Sequence, residues 1–206
     1  MVETETCNVC HDRLSLHGGQ RREVQYCLMC HNPQNVDWNQ RPKLGGAGTN
    51  VNLAGTEDGI EERSIDFRTL VHKLHTGDEL GASVPYVVYG FGRRPYFFDE
   101  LRFPGDRRRC TTCHEDGTYV IESVPDDALS VIANETGVLS HLGSIRHQPG
   151  ENEIPPITAA CISCHDNAGA RVHAELNTNA SGEESCVVCH GENREFSVRG
   201  VHGEEN

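Results

Sequence analysis

Cys7-Asn8-Val9-Cys10-His11 is the stretch on which the reading of this chain turns, because the same pattern returns four more times. Cys27-Leu28-Met29-Cys30-His31, Cys110-Thr111-Thr112-Cys113-His114, Cys161-Ile162-Ser163-Cys164-His165 and Cys186-Val187-Val188-Cys189-His190 use up the remaining cysteines, all 10 of them falling in a motif. Two thiols at this spacing form thioethers with the vinyl groups of a c-type haem, and the adjacent histidine is then placed to ligate the iron. Zinc ribbons, thioredoxin-like pairs and disulfide frameworks also use paired cysteines, but none needs histidine after every second one. With 12 histidines among 206 residues, five such matches out of five by chance are on the order of one in a million. The expected cofactor is therefore five covalently bound haem c.

Thioether attachment takes place outside the cytoplasm, so an exported precursor is expected, although residues 1–6 show no apolar signal core. Met1 is read accordingly as the start of a trimmed, engineered or excised chain. A formal charge of −13 repels a phosphate backbone and argues against a nucleic-acid partner. The longest mainly apolar stretch, near Val84 to Phe91, is far shorter than the roughly 20 residues of a membrane span.

The motif histidines His11, His31, His114, His165 and His190 supply five proximal ligands. His17, His72, His75, His141, His147, His173 and His202 remain as distal candidates. Methionine and lysine are too scarce to compete, with Met29 locked inside a motif and Lys43 and Lys73 the only lysines. A set with two histidines on every iron leaves no open position for substrate, which makes electron transfer the default function. His141 and His147 lie in Gly- and Ser-containing segments and read as exposed loop residues. His72 and His75 lie in a helix-like stretch, residues 65–75, with Ser64 as the expected N-cap and Gly77 just past the end. At this i,i+3 spacing their Cβ atoms lie about 5–6 Å apart on one face. They cannot sit trans on one iron, so if both ligate they serve two neighbouring haems.

The motif starts are separated by 20, 83, 51 and 25 residues, which describes two close pairs around a single motif. Each pair reads Cys-His-Asp, then a spare histidine (His17 or His173), then a second motif. One domain over 1–206 is expected, with dihaem-like units at 7–31 and 161–190 and a central haem at 110–114. Residues 42–58 read as loop and 124–156 as irregular; residues 84–90 and 96–103 have the character of a small hairpin or edge strands. The fold class expected is a multihaem cytochrome c, mostly irregular with short helices and one small β-hairpin, wrapped around five haems that replace a side-chain core. Arg107-Arg108-Arg109 reads either as a solvated turn or as a partner for haem propionates. The glycosylation sequons at Asn134 and Asn179 are read as incidental.

Several short stretches go further. His17-Gly18-Gly19, Cys30-His31-Asn32-Pro33, Ile65-Asp66-Phe67 leading to His72-Lys73-Leu74-His75, Arg102-Phe103-Pro104, Pro156-Ile157-Thr158-Ala159-Ala160-Cys161, Val172-His173-Ala174 and Val201-His202-Gly203 resemble a pentahaem module of the OmcA/MtrC-type outer-membrane decahaem cytochromes. That resemblance covers nearly the whole chain. It implies cell-surface conduits that pass respiratory electrons to metal oxides or soluble shuttles, with other multihaem cytochromes as partners. It also implies His17, His72, His75, His173 and His202 as the distal ligands. The chain departs from the family in having five attachment sites rather than ten and no accompanying β-barrel domain.

The function expected is extracytoplasmic electron transfer along closely packed bis-histidine haems, at the cell surface or in the periplasm. Two alternatives stand beside it: a subunit of a polymeric cytochrome filament, and a multihaem reductase with one open haem. No catalytic residue is assigned, and the residues alone leave open which distal histidine serves which iron.

Overall fold

The computed structural model describes residues 2–46, 50–132 and 153–204. His141, His147 and Asn134 lie outside the described residues. Helices are short: α1 Thr4–His11, α2 Val24–Cys30, α3 Phe67–Thr76, α4 Pro156–Cys161, α5 Ala168–Leu176, α6 Val187–His190 and α7 Val198–His202. Between them run turns and two small antiparallel pairs, β1 Val87–Gly90 with β2 Arg94–Phe97, and β3 Val131–Ile132 with β4 Glu153–Ile154. Among the described residues no helix is long and apolar enough to cross a membrane.

Local chemistry fixes the helix ends. Asp66, rather than the expected Ser64, caps α3: its carboxylate accepts from the Thr69 amide at 3.1 Å. Ser64 acts one step earlier, accepting from the Asp66 amide at 3.1 Å. At the other end Gly77 has φ +53°, and a Cβ there would collide with the Leu101 carbonyl. Asn167 caps α5 by accepting from the Ala170 amide at 3.0 Å, and Ser197 caps α7 by accepting from Gly200 at 3.2 Å. Pro156 opens α4, where its missing N–H costs no intrahelical bond.

The β1–β2 hairpin pairs Val87 with Phe97 and Gly90 with Arg94, a shorter version of the strands expected from sequence. The second pair corrects the expectation of a single hairpin and of an irregular 124–156. Val131 pairs with Ile154 and Ile132 with Glu153. Strands of two residues are too short for alternation to show in a sequence.

The interior is unusual in what it buries. Val51, Val87 and Val131 are enclosed, but so are Arg41, Glu61 and Glu62, each with 0–1 % of its surface exposed. Arg41 organises this region. Its guanidinium pairs with Asp37 at 2.8 Å and Asp58 at 2.7 Å, and donates to the carbonyls of Ile60 and Val87 at 2.7 and 3.0 Å. Asp37 also accepts from the amides of Arg63 (2.7 Å) and Tyr89 (2.9 Å), while the Arg63 side chain reaches Asp58 at 3.2 Å. Burial pushes Asp37 up against the pull of Arg41 and those two amides, and the two carboxylates hold Arg41 firmly charged. This polar knot ties residues 37–41, 58–63 and 85–89 together and presents α3.

Candidate haem-binding sites

Among the described residues each motif histidine faces one other histidine ring, and in every case it comes from outside the motifs. His11 faces His75 with ring centroids 6.1 Å apart, His31 faces His17 at 5.9 Å, and His114 faces His72 at 6.0 Å. His165 faces His202 and His190 faces His173, both at 6.1 Å. No ring is shared between pairs. An iron bonded to two ring nitrogens on opposite sides, at about 2 Å each, sets the centroids about 6 Å apart. Contact-stacked imidazoles would sit closer, and unrelated histidines would scatter. The ten residues therefore have the spacing that a haem iron between each pair requires.

Different local structures deliver the rings. α3 places His72 beside the third motif and His75 beside the first, so one turn of helix serves two sites. α5 carries His173 and α7 carries His202. His17 instead sits in a tight turn closed by the Leu16–Arg21 bridge, with φ +51° followed by Gly18 at +81° and Gly19 at +87°. Two glycines take the left-handed conformations that other residues adopt only at a cost, which explains the His-Gly-Gly run.

Second partners orient the rings. The Nδ1 of His31 lies 2.8 Å from the Ile65 carbonyl, that of His75 2.8 Å from Val71, that of His190 3.0 Å from Phe196 and that of His202 2.8 Å from Val198. A carbonyl only accepts, so Nδ1 carries the proton in these rings and Nε2 keeps its lone pair for a metal. The third pair differs: the Nδ1 of His72 is enclosed without a hydrogen-bond partner. Burial, helped by His114, Arg68 and His75, pulls that ring down to about 4, which keeps it neutral and able to ligate. Phe103 packs edge-on against His75 at 5.8 Å and Tyr119 against His114 at 6.3 Å.

None of the ten cysteines is paired in a disulfide, and the second cysteine of every motif is exposed. Their neighbours give an order to the motifs. After burial, the Cys7 thiol is raised by Cys113 and Cys27, Cys110 by Glu204 and Cys164, and Cys161 by Cys186. The second motif thus adjoins the first, the first adjoins the third, the third the fourth, and the fourth the fifth. Thr76, at the end of α3, donates to the Cys164 sulfur at 3.2 Å and seats the fourth motif beside the helix.

Apolar side chains at these places stand in the open. Val9, Met29 and Val188 inside motifs are 82 %, 73 % and 64 % exposed, and Leu16, Val172 and Val201 beside the spare histidines are exposed as well. Such a distribution suits a large flat apolar group lying against each motif. Of the arginine run, Arg108 forks onto Asp106 at 2.8 Å and is exposed, as a solvated turn would have it, while Arg107 pairs with Glu79. Asn179 is engaged in a turn with Glu183.

Residues 1–203 match the family described as outer membrane cytochrome MtrC/MtrF-like, domains II/IV. The chain belongs to that family. No curated protein matches it. Among solved structures, the MtrC/MtrF-like chain is similar to the outer membrane decahaem cytochrome OmcA, at 20 % identity and a TM-score of 0.49 over 98 % of its own length. It spans 24 % of the OmcA chain. Family membership accords with the resemblance read from His17-Gly18-Gly19 and the His-x-x-His segment. What the residues alone did not reveal is the second layer, the carbonyls of Ile65, Val71, Phe196 and Val198, since a backbone acceptor leaves no trace in residue identity.

Proposed function

We propose that this chain is an extracytoplasmic electron-transfer module carrying five c-type haems, each held between one motif histidine and one spare histidine. The pairs are His11 with His75, His31 with His17, His114 with His72, His165 with His202, and His190 with His173. The observation that carries this reading is the set of ring separations, 5.9 to 6.1 Å, with each of the five spare rings among the described residues used once. When bound, haem c supplies one-electron exchange at iron. The chain's residues do the rest: thiols anchor, paired imidazoles close both faces of the metal against substrate, and carbonyl partners fix the tautomer.

The order of the motifs supports a row, second–first–third–fourth–fifth, with α3 bridging the first and third. Placement at the outer cell surface, with other multihaem cytochromes as partners and metal oxides or soluble shuttles as acceptors, follows from the family. A polymeric filament draws no support from the fold or the comparisons. A reductase with an open haem requires an unpartnered motif histidine, and each of the five has a partner ring.

A haem count by pyridine haemochrome and the spectrum of the reduced protein with and without carbon monoxide test the proposal. Five haems and no carbon monoxide shift are expected. Fewer than five haems, or a shift equal to one or more open irons, would overturn it.

A further inference from the structure

Arg199 stands outside the ligand set, three residues before His202 on α7, and touches two other motifs. Its guanidinium pairs with Asp116, two residues after His114, at 2.7 Å, and with Glu192, two residues after His190, at 2.8 Å. The same side chain donates to the Tyr119 hydroxyl at 2.8 Å and lies 5.0 Å from the centre of that ring, which packs edge-on against His114. At the other end of α7, Glu204 accepts from the Thr111 amide and hydroxyl at 3.1 and 2.9 Å, and Thr111 lies between the cysteines of the third motif. Glu122 accepts from the Glu192 amide at 2.7 Å and closes the cluster.

We infer that Arg199 is a positioning residue, holding the attachment segments of the third and fifth motifs against the helix that presents His202 to the fourth. This rests on the haem-binding reading above. Residues 115–160 separate the third motif from the fourth in sequence, and the described contacts that draw the third and fifth onto α7 run through this fork and Glu204. A lysine carries the same charge but cannot span two carboxylates and a phenol from a planar head. The role therefore depends on geometry as well as on charge.

The experiment uses the haem-loaded protein. Arg199→Gln, Arg199→Lys and Tyr119→Phe are compared with the parent by haem count, by the low-spin electron paramagnetic resonance of the oxidised form, and by spectroelectrochemical titration. Arg199→Gln is expected to keep five haems and to make a subset, the third, fourth and fifth, harder to reduce. Loss of a unit charge within about a Debye length of an iron shifts the reduction equilibrium by about threefold to tenfold. Arg199→Lys should restore the reduction equilibria while the resonance signals of the same subset stay displaced. Tyr119→Phe, which keeps the ring and removes the hydroxyl, should displace only the third site's signal.

Parent-like titrations and resonances in both Arg199 variants would overturn the inference, as would full restoration by lysine or an equal change at all five sites. Should Arg199→Gln fail to accumulate, the lysine and phenylalanine variants decide alone. A parent protein with fewer than five low-spin haems sinks the haem-binding reading itself, and with it this one, whereas five low-spin haems with inert variants sink this one only.

Discussion

Replacing His72 by alanine should open one iron and only one. The ring faces His114 at 6.0 Å and shares α3 with His75, which faces His11 at 6.1 Å. Truncation leaves the rest of the helix in place, because Asp66 and Gly77 hold its ends. One iron in five then becomes able to bind carbon monoxide, so the reduced protein should take up about 0.2 equivalents per haem. The enclosed Nδ1 shows that little water reaches the ring, and truncating a packed side chain of this size costs about 2–5 kcal/mol. Added imidazole should enter the space, reverse the carbon monoxide binding and restore the low-spin spectrum. The assignment is tested by adding Cys110→Ala and Cys113→Ala. With the third haem absent, the His72→Ala protein should bind no carbon monoxide, whereas His75→Ala in the same background should still bind it through the first. Carbon monoxide binding that survives loss of the third motif in the His72→Ala protein would refute the pairing.

Other outcomes follow from the same structure. Arg41→Met strands the buried Asp37 without its cation and leaves Asp58 with Arg63 alone, and a loss of about 3–5 kcal/mol is expected in denaturant titrations. Gly77→Ala combines φ +53° with a collision at the Leu101 carbonyl and should cost about 1–3 kcal/mol, read as a fall in melting temperature. The oxidised protein should show two families of low-spin resonance. Ring planes cross at 80° and 87° in the His11–His75 and His173–His190 pairs, leaving two iron d-orbitals nearly degenerate, but lie at 26° and 29° in the His17–His31 and His72–His114 pairs, which splits them. A single rhombic signal would count against that geometry. Chain produced without haem attachment should lack stable tertiary structure, shown by weak near-ultraviolet circular dichroism, because Val9, Met29 and Val188 then have nothing to cover them.

The five Cys-x-x-Cys-His motifs stand out in the sequence because covalent attachment would demand fixed residues at fixed spacing. The helix with His72 and His75 was legible as a helix-like stretch ending at Gly77, yet its cap was misread, since Ser64 and Asp66 are both good capping residues and only the chain path selects Asp66. Which ring meets which was not legible. His75 meets His11 across 63 intervening residues, and His202 meets His165 across 36, contacts set by the polar knot around Arg41 and by the α7 cluster rather than by any local pattern. The knot itself was invisible, because Arg41, Asp37 and Asp58 look in sequence like ordinary surface charges. β3 and β4 escaped because each is two residues long.

α3 carries one further consequence. A helix turns about 100° per residue, so inserting or deleting a single position between His72 and His75 swings one ring away from its partner whichever end is held. No neighbouring loop can absorb the change, because both rings hang on the same rigid turn. The segment is therefore locked in length: Lys73, buried and paired with Asp166 at 3.4 Å, and Leu74 fill the interval between the two rings, and their number cannot change. The spacing between the first and third sites is in that sense a unit of the helical repeat, inherited whole and closed to gradual adjustment.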